Sequence, residues 1–172
     1  MPNDKRANDS RANVEQNGHL SLRHTVATLA YRGAKAVRGA PADFSDYRVA
    51  KGSRSAGEIL AHVGDLLDWA LSLARGKQRW RNSKVRSWSE DTDRFFAALK
   101  TFDDYLASGA SLHTAPEKLF QGAIADSLTH IGQIAMLRRL AGARVRGENY
   151  YRAKIEVGRT GPDQNSPVSE FN

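Results

Sequence analysis

The stretch "ADSLTHIGQIAMLRRLAG", residues 125–142, largely decides the fold of this chain. Ile134 and Leu137 follow a helical apolar spacing, and Asp126 and His130 lie four positions apart on the same face. A buried carboxylate beside an imidazole costs several kcal/mol unless it is paired, protonated or bound to a metal. The pair is therefore either a satisfied hydrogen bond inside a helical core or two ligands of a metal ion.

Outward from this stretch, apolar residues recur at helical spacing in four segments. These run from about 20 to 38, from about 55 to 75, from about 89 to 107 and from about 115 to 141. Ser55 with Glu58, and Thr114 with Glu117, are typical of a capping box at a helix start. The strand signal is weak apart from residues 154–158. We predict an all-α fold, a four-helix bundle whose long connections leave the order of the helices open.

The two ends of the chain differ from its middle. Residues 1–17 are polar and without periodicity, and we predict a disordered N-terminal segment there. Residues 158–172 are similar and are interpreted as a C-terminal tail. The bundle is then expected to occupy residues 18–157.

Composition excludes several classes of site. The chain has no cysteine, which excludes disulfides, zinc knuckles, iron–sulfur centres and a thiol nucleophile. No apolar run approaches the roughly 18 residues of a membrane span, and the N-terminus does not resemble a secretory signal. We therefore expect a cytoplasmic protein that does not enter the membrane.

Positive charge is concentrated in one segment. The net charge is +7, and residues 75–86 hold six basic residues and no acidic one. A solvated loop between two helices is the simplest interpretation, and an anion-binding patch is the alternative. Trp80 and Trp88 also make nucleic-acid binding conceivable, but helix-turn-helix spacing is absent and we rank this hypothesis last.

A third candidate ligand lies on the second helix. His62 is near the middle of "EILAHVGDLLDWA", residues 58–70, at a height similar to that of Asp126 and His130 on the fourth helix. If the two helices are neighbours, two imidazoles and one carboxylate can converge. Three protein ligands with open positions are typical of a reactive metal site, whereas closed structural sites have four.

"ILAHVGDLLDWA", residues 59–70, followed about sixty residues later by "DSLTHIGQIAMLRRLAG", residues 126–142, resembles the DinB-like (YfiT-like) proteins. The resemblance covers about residues 20–157. It implies an up-down-down-up four-helix bundle in which a His on the second helix and a His-x3-His pair on the fourth bind a divalent metal. Its most specific part consists of His130, Gln133, Arg138, Arg139 and Gly142.

The resemblance also identifies one departure. His62 and His130 match ligands of the family, whereas Asp126 stands where the family has the first His of the pair. The implied ligand set of two histidines and one carboxylate suits Zn, Ni, Fe or Mn. The same substitution is equally compatible with loss of the metal.

Three further residues are candidates for the pocket. His24 would replace a ligand or line the pocket, or else lie on an exposed helix face. Asp65 would fix an imidazole tautomer, or else be exposed. Arg138 would bind an anionic substrate, or else complement the helix dipole.

The resemblance implies a metal-dependent hydrolase or a thiol-dependent transferase acting on an unknown small molecule, as a homodimer. The alternative is a non-catalytic stress-response or binding module that has lost the metal, which Asp126 favours.

Overall fold

The computed structural model describes residues 3–41 and 43–172, with side chains described from residue 16 onward. These residues are mostly helical, which confirms the predicted all-α class. Four long helices are present in the described part of the chain. They are α1 (Asn3–Val37), α2 (Ala56–Ala74), α3 (Trp88–Ala107) and α4, which consists of Pro116–Leu119, a π-helical turn at Phe120–Ile124, and Ala125–Leu140.

The predicted start of α2 is confirmed. The Glu58 amide donates to Ser55 Oγ at 3.2 Å, and the Ser55 amide donates to Glu58 Oε2 at 2.6 Å, which completes the capping box. The capping box predicted at Thr114 and Glu117 is wrong. The cap of α4 is Ala115, without a side-chain hydrogen bond, because the helix begins one residue later than expected, with a proline in its first turn.

The start of α1 also differs from the prediction. The helix begins at Asn3, whereas apolar spacing places its start near residue 20. Residues 3–17 contain neither proline nor glycine, so a helix fixed by packing further along the chain can continue through them. Apolar periodicity predicts a helix only where apolar residues recur at helical spacing, and residues 3–17 lack such periodicity. The division of the chain at residue 17 stays a prediction.

The helices contact one another at defined heights. His19 donates to the carbonyl of Leu106 at 2.9 Å, which joins the first half of α1 to the end of α3. Gly33, near the end of α1, lies against Phe95 near the start of α3. Tyr105 near the end of α3 donates to the carbonyl at the end of α2 at 3.3 Å. The shared core includes Val26, Leu29, Leu60, Leu67, Phe95, Leu99, Phe102, Leu119 and Ile134.

The C-terminal segment returns to α1. The predicted strand at 154–158 is wrong, and two strands of two residues, β1 (Gly147–Glu148) and β2 (Glu170–Phe171), pair antiparallel instead. Lys35 of α1 donates to both Glu148 and Glu170 at 2.7 Å. Asn165 donates to the carbonyl of Lys154 at 2.9 Å, so a side chain occupies the bonding position that a neighbouring strand would need. The predicted tail is thus tied to α1 by the ion pair between Lys35 and Glu170, and to β1 by strand pairing.

None of the helices in the described ranges is long and apolar enough to cross a membrane.

Candidate metal centre

His62 of α2 and the pair Asp126 and His130 of α4 come together between the two helices. One ligand atom from each residue lies within 4.8 Å of the other two. His62 Nε2 is 4.0 Å from Asp126 Oδ2, and His130 Nε2 is 3.5 Å from Asp126 Oδ1. The two imidazole rings meet edge-on, with 4.9 Å between their centroids. Among the described residues this is the only such group of three or more histidine, aspartate or glutamate side chains.

These distances differ from those of a simple hydrogen bond. An N–H···O bond spans about 2.7–3.2 Å, and both imidazole–carboxylate separations exceed that range. A tetrahedral ion holds nitrogen and oxygen ligands at about 2.0–2.2 Å, which separates neighbouring ligand atoms by roughly 3.3 Å. The separation of 3.5 Å between His130 and Asp126 is close to this value, whereas the separation of 4.0 Å between His62 and Asp126 is longer. The three side chains are thus not closed by an Asp–His hydrogen bond, and a modest approach of His62 would bring them to the spacing of a divalent ion's ligands.

The three side chains differ in their access to solvent. The His62 side chain is 20 % exposed, that of His130 is 12 % exposed, and that of Asp126 is 48 % exposed. Burial lowers the pKa of His62, the positive charge of Arg54 lowers it further, and Asp126 acts in the opposite direction. A neutral imidazole is the form that binds a metal, so the environment of His62 favours the ligating state.

His130 is held from its other side. Its Nδ1 lies 2.7 Å from Oε1 of Gln133, one turn further along α4. With the proton on Nδ1, that atom donates to the amide oxygen and leaves Nε2, the nitrogen facing Asp126, with its lone pair free. Gln133 therefore selects the tautomer that a metal ligand needs.

The π-helical turn of α4 ends two residues before Asp126. Phe120–Ile124 forms this turn, and the α-helix resumes at Ala125. Such turns insert one extra residue into a helix and are frequent at functional sites. The spacing of apolar residues does not indicate this turn, so it was not predicted from the sequence.

The basic segment 75–86 places an aromatic side chain against His62, a contact that the sequence did not predict. Trp80 lies edge-on to His62, with 5.6 Å between ring centroids, and edge-on to Trp69 at 5.8 Å. Trp88 packs on Phe44 at 5.0 Å. Both tryptophans invoked for nucleic-acid binding thus contact the body of the protein.

Asp65 is buried, so the exposed position considered for it is wrong. Its carboxylate accepts hydrogen bonds from the Ser83 amide at 2.9 Å, from Ser83 Oγ at 2.6 Å and from Arg94 at 2.6 Å. These bonds fasten the basic segment and α3 to α2. None of them involves the imidazole of His62, and a role of Asp65 in fixing its tautomer stays a prediction.

Arg138 and His24 lie outside the group of three ligands. The Arg138 guanidinium is buried and donates to the carbonyls of Ala36, Arg38 and Gly39, so it caps the end of α1. His24 is exposed on α1. Arg138 thus makes a structural contact at the end of α1, and its contact with a substrate stays a prediction. The structure does not bring His24 to His62 or His130.

No family model matches the sequence, and neither a curated protein nor a solved structure shows significant similarity to it. Support for a metal centre therefore comes from the three converging side chains themselves.

Proposed function

We propose that this protein is a DinB-like metal-binding helical bundle whose centre consists of His62, Asp126 and His130. The observation that carries the proposal is the convergence of three ligand atoms, from two helices far apart in sequence, within 4.8 Å of one another. On this proposal the protein is a metal-dependent hydrolase or a thiol-dependent transferase that acts on a small molecule. It forms a homodimer, as the resemblance implies.

The contacts between helices support the up-down-down-up order. α1 meets α3 with opposite ends together, since His19 contacts Leu106. α2 meets α3 with like ends together, since the C-terminal carbonyl of α2 accepts from Tyr105 near the end of α3. α1 and α4 also meet at like ends, where Arg138 donates to Ala36 at 3.1 Å. These contacts favour α2 and α3 running one way and α1 and α4 the other.

The donor set suggests which ions the centre takes. Two imidazoles and a carboxylate suit Zn, Ni, Fe or Mn, and three protein ligands leave positions for substrate. When bound, such an ion acts as a Lewis acid and lowers the pKa of a coordinated water or thiol.

The chain's own residues have separable roles in this proposal. His62 and His130 supply neutral nitrogen ligands, and Gln133 holds the tautomer of His130. Asp126 supplies negative charge on the exposed side of the group. Trp80 limits the access of water to His62. Substrate then approaches beside Asp126 and His130, away from the indole.

Elemental analysis of freshly purified protein tests the proposal. We expect stoichiometric divalent metal that is lost in His62→Ala and in His130→Ala. His24→Ala is the matched control, because it removes an exposed histidine outside the group and should leave the metal content unchanged. A folded protein that neither contains nor binds metal contradicts the proposal.

The second candidate is a non-catalytic stress-response or binding module. The replacement of a family histidine by Asp126, with a half-exposed side chain, is the observation that favours it. It predicts a protein free of metal whose melting temperature does not change when zinc, nickel or manganese is added. The same elemental analysis therefore distinguishes the two candidates.

A further inference from the structure

A cavity of about 640 Å³ opens beside His130. It lies between the segment 49–54 that precedes α2, the first turn of α2, and the second half of α4. Its volume falls in the range of about 300–1,000 Å³ that is typical of small-molecule sites. Because His130 lines one side, whatever occupies the cavity lies next to the candidate metal centre.

The walls of this cavity are mainly apolar. Val49, Ile59, Met136 and Leu137 supply the hydrocarbon surface. Val49 and Met136 are exposed, although large apolar side chains are usually buried. Gly132 leaves room at the centre of the wall, since no heavy atom lies within 4 Å of the position that a Cβ would occupy there. The surface is suited to the apolar body of a ligand.

One cation faces this apolar surface. Arg54 lines the cavity, and its positive charge lowers the pKa of the His62 imidazole. Across residues 16–41 and 43–172, its guanidinium takes part in no hydrogen bond or ion pair. The neighbouring Arg48, in contrast, lies 3.6 Å from Glu58. Arg54 is therefore free to pair with an anionic group on a ligand.

We propose that this cavity binds a small organic acid, with its carboxylate at Arg54 and its hydrocarbon body against Ile59, Met136 and Leu137. This inference rests on the proposed function in one respect, since it names the class of substrate that the proposed metal centre would act on. Binding itself uses the chain's own side chains and does not require the ion. The mixture of apolar walls with one unpaired cation selects such a ligand over a neutral or cationic one.

Calorimetric titration of metal-free protein with octanoate, butyrate and octanamide tests the proposal. Octanoate should bind more tightly than butyrate, by roughly tenfold for each two methylene groups that become buried. Octanoate should also bind roughly threefold to fivefold more tightly than octanamide, because a half-exposed ion pair contributes modestly. Arg54→Gln should abolish the preference for the acid, whereas Lys51→Gln, an exposed cation outside the cavity, should preserve it.

Gly132→Leu tests whether octanoate binds in this cavity, and it removes no side-chain contact from the fold. The new side chain enters open space within a helix, so folding should be preserved or improved, while octanoate affinity should fall at least about tenfold. Gln121→Leu adds an apolar side chain at an exposed position of the same helix outside the cavity, and it should leave affinity unchanged.

Three results would overturn the inference. One is equal binding of octanoate and octanamide, and another is unchanged affinity in Gly132→Leu. The third is a dimer that dissociates in Gly132→Leu, because the cavity wall would then be an interface between copies of the chain. Metal content is measured separately, so octanoate binding to a protein that takes up no metal overturns the proposed function alone. A protein that binds metal but does not bind octanoate overturns this inference alone.

Discussion

The indole of Trp80 stands edge-on to the imidazole of His62, with 5.6 Å between the ring centroids and 67° between the ring planes. Trp80 belongs to the basic segment 75–86, and His62 belongs to the candidate metal centre. The segment thus places an aromatic side chain against His62, a candidate metal ligand. Asp65 holds the segment in position through hydrogen bonds from Ser83. Metal binding at the candidate centre should therefore change the fluorescence of Trp80.

We expect titration with Ni²⁺ or Cu²⁺ to quench tryptophan emission, because an open-shell ion at His62 would lie within a few ångströms of the Trp80 ring. Trp80→Phe should reduce the quenching while metal still binds, and the remainder should come from Trp69, which lies 5.8 Å from the Trp80 ring. Trp88→Phe is the control, since Trp88 packs on Phe44 and should leave the signal intact. Quenching that survives in Trp80→Phe and disappears in Trp88→Phe would place the ion elsewhere.

We expect residue 126 to set the affinity of the candidate metal centre. Asp126→His restores the third imidazole that the family resemblance implies, and we expect tighter binding of Zn²⁺ and Ni²⁺, by about tenfold or roughly 1.4 kcal/mol. Asp126→Ala should weaken binding, because it removes one of three ligands. Competition with a chromophoric chelator measures both constants.

Asp104→Ala is the matched control for these variants, because it removes an exposed carboxylate whose partner is Lys100, on α3. It should leave the metal affinity unchanged. Identical affinities in Asp126→His, Asp126→Ala and the unmodified protein would show that residue 126 is not a ligand.

Sequence patterns predicted the helices and the convergence of His62, Asp126 and His130 for identifiable reasons. Helical periodicity fixes which residues share a face, so Asp126 and His130 were recognisable as neighbours. His62 lies at a height on α2 similar to that of this pair on α4. The three side chains therefore converge if α2 and α4 are adjacent. The contacts of Trp80 with His62, and of Asp65 with Ser83, depend on the path of an irregular segment, which periodicity does not describe.

Arg138 illustrates a different limit of the sequence. Basic residues at the end of a helix are expected to interact with the dipole of their own helix. Arg138 instead donates to carbonyls at the end of α1, about a hundred residues away. Which helix end lies nearby is a property of the tertiary structure, so no local pattern could have shown it.

Asp65 links three parts of the chain, and we expect Asp65→Ala to lower the free energy of unfolding by about 3 kcal/mol. The carboxylate is 4 % exposed and its removal leaves the largely buried Arg94 without its closest partner. Urea denaturation measures the loss. Lys100→Ala breaks an exposed pair on α3 and should cost at most about 0.5 kcal/mol. Equal effects of the two variants would show that burial does not matter here.

The same carboxylate predicts a dependence of stability on pH. Burial alone would raise the pKa of Asp65, but hydrogen bonds from Ser83 and the charge of Arg94 outweigh it and lower the pKa. An acid whose pKa is lower in the folded state contributes stability above its unfolded pKa, near 3.9, and loses it as pH falls through the folded value.

Unfolding free energies of metal-free protein between about pH 6 and pH 3 measure this contribution. We expect a decline below about pH 4 that is smaller in Asp65→Asn, which cannot ionise. Asp104→Asn, at an exposed position of α3, should decline like the unmodified protein. Parallel curves for Asp65→Asn and the unmodified protein would show that this ionisation does not stabilise the fold.

Arg138→Gln should destabilise the protein by about 3 kcal/mol, because the guanidinium donates to three carbonyls at the end of α1 and a shorter amide cannot reach them all. Burial lowers the pKa of this arginine because it disfavours the charged form. The three hydrogen bonds offset that unfavourable burial. Arg139→Gln is the control, since Arg139 is exposed and its replacement should change stability by at most about 0.5 kcal/mol. Thermal and urea unfolding measure both. Because the cap is remote from the three ligands, metal content should be the same in both variants, and a selective loss of metal in Arg138→Gln would mean that the end of α1 also supports the centre.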